Sequence, residues 1–139
     1  MNCMKMNLQI ITPEKIAYKG EADQITLPTH DGEITVLANH IPLISSMKHG
    51  ELIIKNDGKE IFLAVCNGFI EVRNNHITIM TDIADRIAEI DEKKAEEARK
   101  KAEQLLSEKD KLSDVAFADA TSAMERSLAR LKVARRKRR

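Results

Sequence analysis

The residues with the clearest chemical potential are the basic side chains at the C-terminal end. Residues 126–139 carry eight Lys or Arg side chains and no Asp or Glu, and they end in the run RRKRR. Cations near a helix C-terminus interact favourably with the helix dipole, by about 0.3–1 kcal/mol each. Five consecutive cations exceed that need and repel one another, so the segment predicts an anionic partner.

Side-chain combinations that support catalysis or metal binding are missing from the sequence. It contains no GxxxxGKS or GxxxxGKT phosphate loop, no HExxH, no CxxC and no GxSxG motif. Neighbouring carboxylates such as Glu96 and Glu97 fit a solvated face better than an acid/base pair. We therefore predict no catalytic residue, no metal site, no required cofactor and no enzymatic activity of the chain itself. The histidines lie in or near predicted turns without the spacing of metal ligands: His30, His40, His49 and His76.

The elements that position these residues change in character near Asp82. All five glycines and all three prolines precede it, and the remainder is rich in alanine and charge. The first part can bury a core of its own, whereas the second can form only a helical hairpin or one long helix that needs a partner. The predicted class is α+β, with a β-sandwich over residues 1–84 and a helical hairpin over residues 85–139.

The first part is predicted to be a sandwich of about ten short strands. Asn56, Asp57 and Gly58 form the clearest hairpin turn, and Asn67–Gly68 and Asn74–Asn75 supply positive φ for two more turns. Cys66 lies in a strand-like run and is interpreted as a small buried apolar residue. Alternation of apolar and polar residues marks these strands: 6–10, 16–18, 22–27, 33–37, 51–54, 61–66, 69–72 and 77–80.

The second part is predicted to form helices over about residues 88–107 and 114–134, with Ser113 or Asp114 as the cap of the second. An alanine-rich seam buries little area, so the hairpin should open at modest cost. An open helix of about 50 residues would span about 75 Å, against about 30 Å when folded. The alternative is an ordinary hairpin packed permanently on the sandwich. Two apolar stripes support the helices: Ile83, Ile87, Ile90, Lys94 or Ala95, Ala98, Ala102 and Leu105, then Phe117, Ala120, Met124, Leu128 and Leu131.

Several motifs resemble those of the epsilon subunit of bacterial and plastid F-type ATP synthases. They are DGEITVLANHIPLISSMKHGEL at residues 31–52, NGFIEV at 67–72, ITIMTD at 77–82 and RSLARLKVA at 126–134. Their order and the switch from strands to a hairpin match over almost the whole chain. The family usually has Gly where this chain has Thr35, and often Pro-Gly where it has Ala38 and Asn39, so local turn geometry should differ.

The resemblance implies a rotor subunit in the central stalk of a proton-translocating ATP synthase. It would dock on the gamma subunit, touch the c-ring and couple ring rotation to ATP synthesis in the alpha/beta catalytic head, while its C-terminal helices inhibit ATP hydrolysis. Such a subunit is peripheral at the cytoplasmic face of the cell membrane, or at the stromal face of the thylakoid in a plastid. By position, Asp31, Gly32 and Glu33 match the ring-facing turn, and His40, Ile41, Pro42 and Leu43 match part of the gamma-facing surface.

The same resemblance implies a possible regulatory ATP site on the folded hairpin. Some family members bind ATP through Ile or Leu, Asp, two free positions, Arg and Ala at the start of the first helix. Here Ile90, Asp91 and Ala95 match, but Lys94 replaces the Arg. Lysine is a point charge that cannot bind phosphate through two parallel hydrogen bonds, so ATP binding is predicted to be weak or absent. At the remaining positions of this site, Lys101 replaces an Arg, whereas Arg126 and Arg130 match.

The basic end has two possible partners. In the resembled family the extended helix lies against acidic segments of the catalytic head, which predicts a salt-sensitive brake. The competing hypothesis is a small nucleic-acid-binding module that contacts phosphates through this tail. Aromatic residues make up only 3% of the chain and residues 1–81 carry seven basic against nine acidic side chains, so nucleic acid is not the predicted partner. The predicted head-contact residues are Arg126, Arg130, Lys132, Arg135, Arg136, Lys137, Arg138 and Arg139.

Overall fold

The computed structural model describes the backbone of residues 4–138 and the side chains of residues 4–136. It confirms the α+β class, with eight strands in the described range rather than about ten. Short 3₁₀ turns precede α1, join the two helices and follow α2. The elements are β1 (Met6–Ile11), β2 (Ile16–Ala22), β3 (Gln24–Thr29), β4 (Gly32–Leu37), β5 (Leu43–Met47), β6 (Gly50–Asn56), β7 (Lys59–Arg73), β8 (His76–Arg86), α1 (Glu92–Ser107) and α2 (Asp114–Ala134).

The strands form a sandwich around one apolar core. They follow the order β2-β1-β8-β7-β5-β3-β4, with β6 paired to both β3 and β7. The β1–β8 pair is parallel and the other pairs are antiparallel. Met6, Leu8 and Ile10 are buried, as their alternation predicts. Every strand contributes at least one buried side chain to this core.

Strand β7 contains a bend at Asn67–Gly68, where the sequence predicts a turn between two strands. Both residues have positive φ, 52° and 149°, but the chain continues in the same direction. The bend shifts by one residue the alternation of core-facing and outward-facing side chains. Strand β7 pairs with β6 before the bend and with β5 after it. The core-facing residues are therefore odd-numbered before the bend and even-numbered after it: Leu63, Val65, Ile70 and Val72.

The turns use Asn and Asp in the left-handed region, as predicted. Asp57 and Gly58 have φ of 53° and 78° in the β6–β7 turn, and Asn74 and Asn75 have 49° and 60° in the β7–β8 turn. Asn39, at a position where the resembled family often has Gly, also adopts a φ of 64°. Asn tolerates this conformation better than most residues, which explains how it can replace Gly here.

Side-chain caps set the starts of both helices. Asp91 Oδ1 accepts a hydrogen bond from the Lys94 backbone nitrogen at 3.1 Å, so α1 begins at Glu92, four residues later than predicted. Ser113 Oγ accepts from the Ala116 nitrogen at 3.1 Å, which makes Ser113 the cap of α2. An N-cap oxygen satisfies a backbone donor that has no partner within the helix.

The predicted apolar stripes describe the helix packing only in part. Ala95 and Ala102 of α1 are buried, but Ala98 and Leu105 are exposed. On α2, Phe117 and Leu128 are exposed, and this helix packs against the sandwich as well as against α1. A single stripe cannot describe a helix with two buried faces. The buried residues of α2 are Ala120, Ser127, Ala129, Leu131, Val133 and Ala134.

We predict that Gly68→Ala destabilises the fold strongly. A Cβ at Gly68 would lie 2.0 Å from the Met80 carbonyl oxygen, and its φ is 149°. The clash and the strained backbone together should lower the free energy of unfolding by about 3–5 kcal/mol. Gly58→Ala is the matched control, because Gly58 has a φ of 78° but open space around it. This control should lower the free energy of unfolding, measured by urea titration, by only about 1–2 kcal/mol. Equal losses would contradict the role assigned to the bend.

Candidate functional site

Helix α2 packs on the outer face of β6 and β7, and we call this contact surface the junction. Its apolar part is small and consists largely of alanine and valine, which allow close approach but bury little area per residue. Such a surface holds a helix weakly, so polar contacts at its edge have a large share in the docking. The buried members are Ala64, Ile90, Ala129, Val133 and Ala134, with Phe62 and Ile87 packed beside them.

Two arginines of the basic end form ion pairs across the junction. Arg136 donates from Nε and Nη2 to the two carboxylate oxygens of Glu51, at 2.9 and 2.7 Å. Arg130 Nε donates to Asp85 Oδ2 at 2.7 Å. Bidentate arginine–carboxylate pairs are stronger and more specific in geometry than single contacts. In this conformation the basic end is therefore neutralised in part by the sandwich itself.

A third charged contact lies nearer the middle of α2. His49 Nδ1, in the β5–β6 turn, is 3.9 Å from Glu125 Oε2. Both side chains are about one-third exposed, and the pair is ionic only when the histidine is protonated. It adds little to the docking of α2 compared with the two arginine pairs.

The predicted head-contact residues fall into three groups in this structure. Arg130 and Arg136 are paired with Asp85 and Glu51. Lys132 and Arg135 are exposed, and Arg126 is half-buried. The side chains of the remaining three lie outside the described residues: Lys137, Arg138 and Arg139.

The residues of the predicted ATP site already have roles in the fold. Ile90 belongs to the junction, Asp91 caps α1 and Ala95 is buried. Lys94 and Lys101 are exposed, whereas Arg126 is half-buried and Arg130 contacts Asp85. A bound polyphosphate would therefore compete with Asp85 for the Arg130 guanidinium. The structure adds a second physical reason, beyond the Lys replacements, for weak binding.

The cleft between the two helices has a lining of mixed charge. Its polar lining combines carboxylates with cations, and Leu131 supplies an apolar wall. Carboxylates and cations are equal in number, so the lining carries no net positive charge that would attract phosphate groups. The charged lining residues are Glu92, Glu96, Glu97, Lys93, Lys100 and Arg135.

The turn predicted to face the c-ring is an exposed polar hairpin. Asp31, Gly32 and Glu33 are all exposed at the β3–β4 turn, and Gly32 has a φ of 116°. Thr29 fixes the turn, because its hydroxyl donates to the Gly32 carbonyl oxygen at 2.5 Å. The same hydroxyl oxygen accepts from the Asp31 nitrogen at 3.2 Å. The turn is therefore exposed, held by two hydrogen bonds of Thr29 and free of apolar side chains.

The loop predicted to face the gamma subunit presents apolar groups to solvent. Ile41 is 74% exposed and Pro42 is also exposed, whereas Leu43 packs partly against the sandwich core. His40 Nδ1 lies 2.7 Å from the Ile41 carbonyl oxygen. The loop is therefore exposed rather than tucked over the sandwich edge, and Leu43 anchors it.

The sheet carries an exposed line of apolar side chains that the sequence patterns did not predict. Ile16, Ile11, Met80 and Phe69 stand in register across β2, β1, β8 and β7. We call these four residues the apolar row. Ile16, Met80 and Phe69 are each at least half exposed. The outward neighbours two positions away on β8 and β7 are Thr78, Asp82 and Glu71, so only the strand register brings the apolar residues together.

Ile44 of β5 extends the apolar row toward the Ile41–Pro42 loop. It is 77% exposed and lies two residues from Ser46, which pairs with Phe69. Residues two apart in a strand share a face, so Ile44 and Phe69 point to the same side of the sheet. Ile44 therefore lies along β5 between the apolar row and the exposed loop, beside the polar residues Ser46 and Glu71.

Cys66 lies under α2 and is fully buried, as predicted for a small apolar residue. Burial disfavours the thiolate and raises the pKa of the Cys66 thiol to about 11, with a further contribution from Glu125 of α2. At neutral pH the thiol is protonated and shielded. Its chemistry therefore becomes available only when α2 moves.

Within residues 4–136, no group of three His, Cys, Asp or Glu side chains is arranged to bind a metal ion. None of the helices in the described range is long and apolar enough to cross a membrane.

Two models of known protein families match this chain. A model described as "ATP synthase, Delta/Epsilon chain, beta-sandwich domain" matches residues 5–87. A second, described as "ATP synthase, Delta/Epsilon chain, long alpha-helix domain", matches residues 88–135. The chain belongs to the ATP synthase delta/epsilon family. The two matches meet just after the end of β8, so the family includes both the sandwich and the hairpin.

Curated relatives in this family are similar over nearly their full length. The ATP synthase epsilon chain of Desulforamulus reducens is 38% identical over 127 residues, which cover 91% of this chain and 95% of the relative. That of Herpetosiphon aurantiacus is 36% identical over 135 residues, covering 97% and 98%.

Solved structures share the fold at lower identity. A chain of the mitochondrial ATP synthase of Euglena gracilis matches with a TM-score of 0.76 and 22% identity, over 90% of this chain and 78% of that one. A chain of the mitochondrial ATP synthase of Tetrahymena thermophila, in a structure of the central stalk and c-ring, matches with a TM-score of 0.53 and 18% identity. It covers 64% of this chain and 72% of that one.

Proposed function

We propose that this chain is the non-catalytic epsilon subunit in the central stalk of an F-type ATP synthase. It turns with the gamma subunit and the c-ring, and couples ion-driven rotation to ATP synthesis in the alpha/beta catalytic head. Through this complex it is peripheral to the membrane, on the cytoplasmic face in a bacterium. The structural observation that carries the proposal is the apolar surface of the row and its adjoining loop, which is suited to a permanent protein partner.

The apolar surface supports docking on the gamma subunit. Phe69, Met80 and Ile16 are at least half exposed in one line, and Ile44 and Ile41 continue it at 77% and 74% exposure. Contiguous exposed apolar residues on a small domain mark interaction sites, whereas isolated ones do not. The exposed polar turn at Asp31, Gly32 and Glu33 is suited to a different contact, with the polar loops of the c-ring.

We predict that Phe69→Asp weakens binding to the gamma subunit at least tenfold. A carboxylate in place of Phe69 in the apolar row would be buried without a partner in the complex. Leu37→Asp is the control, because Leu37 is 53% exposed on β4, where its strand partner Gln24 is polar. The measurement is co-purification and titration with the gamma subunit, with urea midpoints to verify folding. Equal weakening by both variants would argue against docking through the row.

The C-terminal hairpin is suited to act as a movable brake on ATP hydrolysis. Its junction with the sandwich is small, and two of its arginines are paired there rather than with a distant partner. A conformational equilibrium of a few kcal/mol can be shifted by a partner that binds one state better. When the hairpin opens, the cations of the basic end become available to acidic segments of the catalytic head.

We predict that removing the hairpin releases ATP hydrolysis. The catalytic head with its gamma subunit is reconstituted with the full chain, with a chain ending at Ile87, or with a chain lacking residues 135–139. The full chain should inhibit and the Ile87 version should not. The version lacking residues 135–139 should be less inhibitory at low salt, because several charge pairs of about 0.2–1 kcal/mol each are lost. Equal rates for all three would remove the inhibitory role while leaving docking intact.

ATP is proposed as a weak regulatory ligand of the folded hairpin rather than a required cofactor. We predict that Lys94→Arg with Lys101→Arg raises ATP affinity by about tenfold, because guanidinium binds phosphate through two hydrogen bonds. Lys93→Arg with Lys100→Arg is the control, one position away on the same helix. Calorimetric titration of the full chain measures both. An equal gain in the control pair would mean that added guanidinium groups act without a defined site.

A further inference from the structure

Glu51 is a buried carboxylate that needs a cation. Its side chain is 5% exposed, and both of its oxygens accept hydrogen bonds from Arg136. Glu51 pairs with Ala64 of β7, a member of the junction, so it lies directly beneath α2. Burying an ionised carboxylate is costly unless a cation and hydrogen bonds compensate it. Removal of α2 would leave Glu51 without the partner that it has in this structure.

Phe62 completes the surroundings of the Arg136 guanidinium. The guanidinium carbon lies 4.5 Å from the Phe62 ring centroid. Phe62 stands two residues before Ala64 on β7, and therefore on the same face as Ala64 and Glu51. A carboxylate beside an aromatic face matches the planar guanidinium group, which forms two parallel hydrogen bonds and stacks on rings. The ammonium group of a lysine can make only some of these contacts.

We propose that Glu51 and Phe62 form a guanidinium-binding site whose occupant is the chain's own Arg136, and that this site sets how readily the hairpin leaves the sandwich. The inference rests on the proposed brake for its functional consequence, although not for the site itself. The same guanidinium cannot contact Glu51 and the catalytic head at once. Occupation of the site and engagement of the head by Arg136 are therefore mutually exclusive.

The second arginine pair does not provide an equivalent lock. Arg130 contacts Asp85 through a single hydrogen bond, and the two side chains are 34% and 24% exposed. Solvent screens such a pair more than it screens a carboxylate that is 5% exposed. Glu51 is therefore the position at which one substitution should change the opening equilibrium most.

Cys66 provides a direct measure of opening. It lies on β7 four residues after Phe62, is fully buried and feels the charges of Glu125 and Arg126 of α2. The full chain carrying Cys3→Ser has Cys66 as its one thiol. The rate of its reaction with a maleimide at neutral pH then reports how often α2 leaves the junction. Circular dichroism and urea midpoints show whether each variant is folded.

We expect Glu51→Gln to raise the labelling rate of Cys66 at least tenfold, and Arg136→Lys to raise it by a smaller factor. Glu60→Gln is the matched control, because Glu60 is an exposed carboxylate on β7 near Arg136 without a hydrogen bond to it. In this control, Cys66 should react with the maleimide at the parental rate. Glu51→Arg combined with Arg136→Glu should restore slow labelling, which separates loss of the pair from loss of folding. The proposed site is wrong if Cys66 in the Glu51→Gln chain reacts at the parental rate. It is also wrong if Cys66 in the charge-swapped chain reacts fast.

The rate of ATP hydrolysis by the catalytic head, reconstituted with the same variants, distinguishes failure of the guanidinium site from failure of the proposed brake. If both hold, Glu51→Gln should inhibit ATP hydrolysis several-fold more strongly than the parental chain, because Arg136 is released toward the head. Faster labelling without stronger inhibition would support the guanidinium site and contradict the brake. Unchanged labelling would reject the site, whatever the ATPase rates.

Discussion

The bend in β7 at Asn67–Gly68 is the constraint on which the rest of the structure depends. It lets one strand pair with β6 over its first part and with β5 over its second. It also divides the outward face of β7 into two surfaces. Phe62, Ala64 and Cys66 lie before the bend and receive α2, whereas Phe69 lies after it and belongs to the apolar row. The contact that binds the hairpin and the contact proposed for a partner are thus carried by one strand.

The junction combines a small apolar contact with ion pairs at its edge. Alanine and valine bring α2 close to the sheet without burying much area, so the two arginine pairs have a large share in holding it. Arginines that bind inside the folded chain are unavailable to an external acid. The basic end therefore has two competing uses, and the balance between them depends on Glu51 and Asp85 of the sandwich.

Most of the fold could be predicted from local patterns. The cap of α2 at Ser113 or Asp114, the buried Met6, Leu8 and Ile10, and the Asp57–Gly58 turn depend on residues close together in the sequence, and the structure selects Ser113 as the cap. The failures have specific causes. Strand β5 was missed because its exposed Ile44 interrupts the expected alternation, and Asn67–Gly68 was assigned to a turn because positive φ also occurs in a bent strand. The helical stripes were incomplete because α2 has two buried faces.

The sequence by itself determined both helices, most of the strands, the hairpin turns at Asp57–Gly58 and Asn74–Asn75, the two-part organisation and the family, because each depends on spacing along the chain. Only the tertiary structure decided that Arg130 and Arg136 are paired within the chain and which apolar residues form a surface. Arg136 meets a carboxylate 85 positions away, and the apolar row is assembled by the register of four strands. Local periodicity carries no information about such contacts, since they arise only when separate elements pack together.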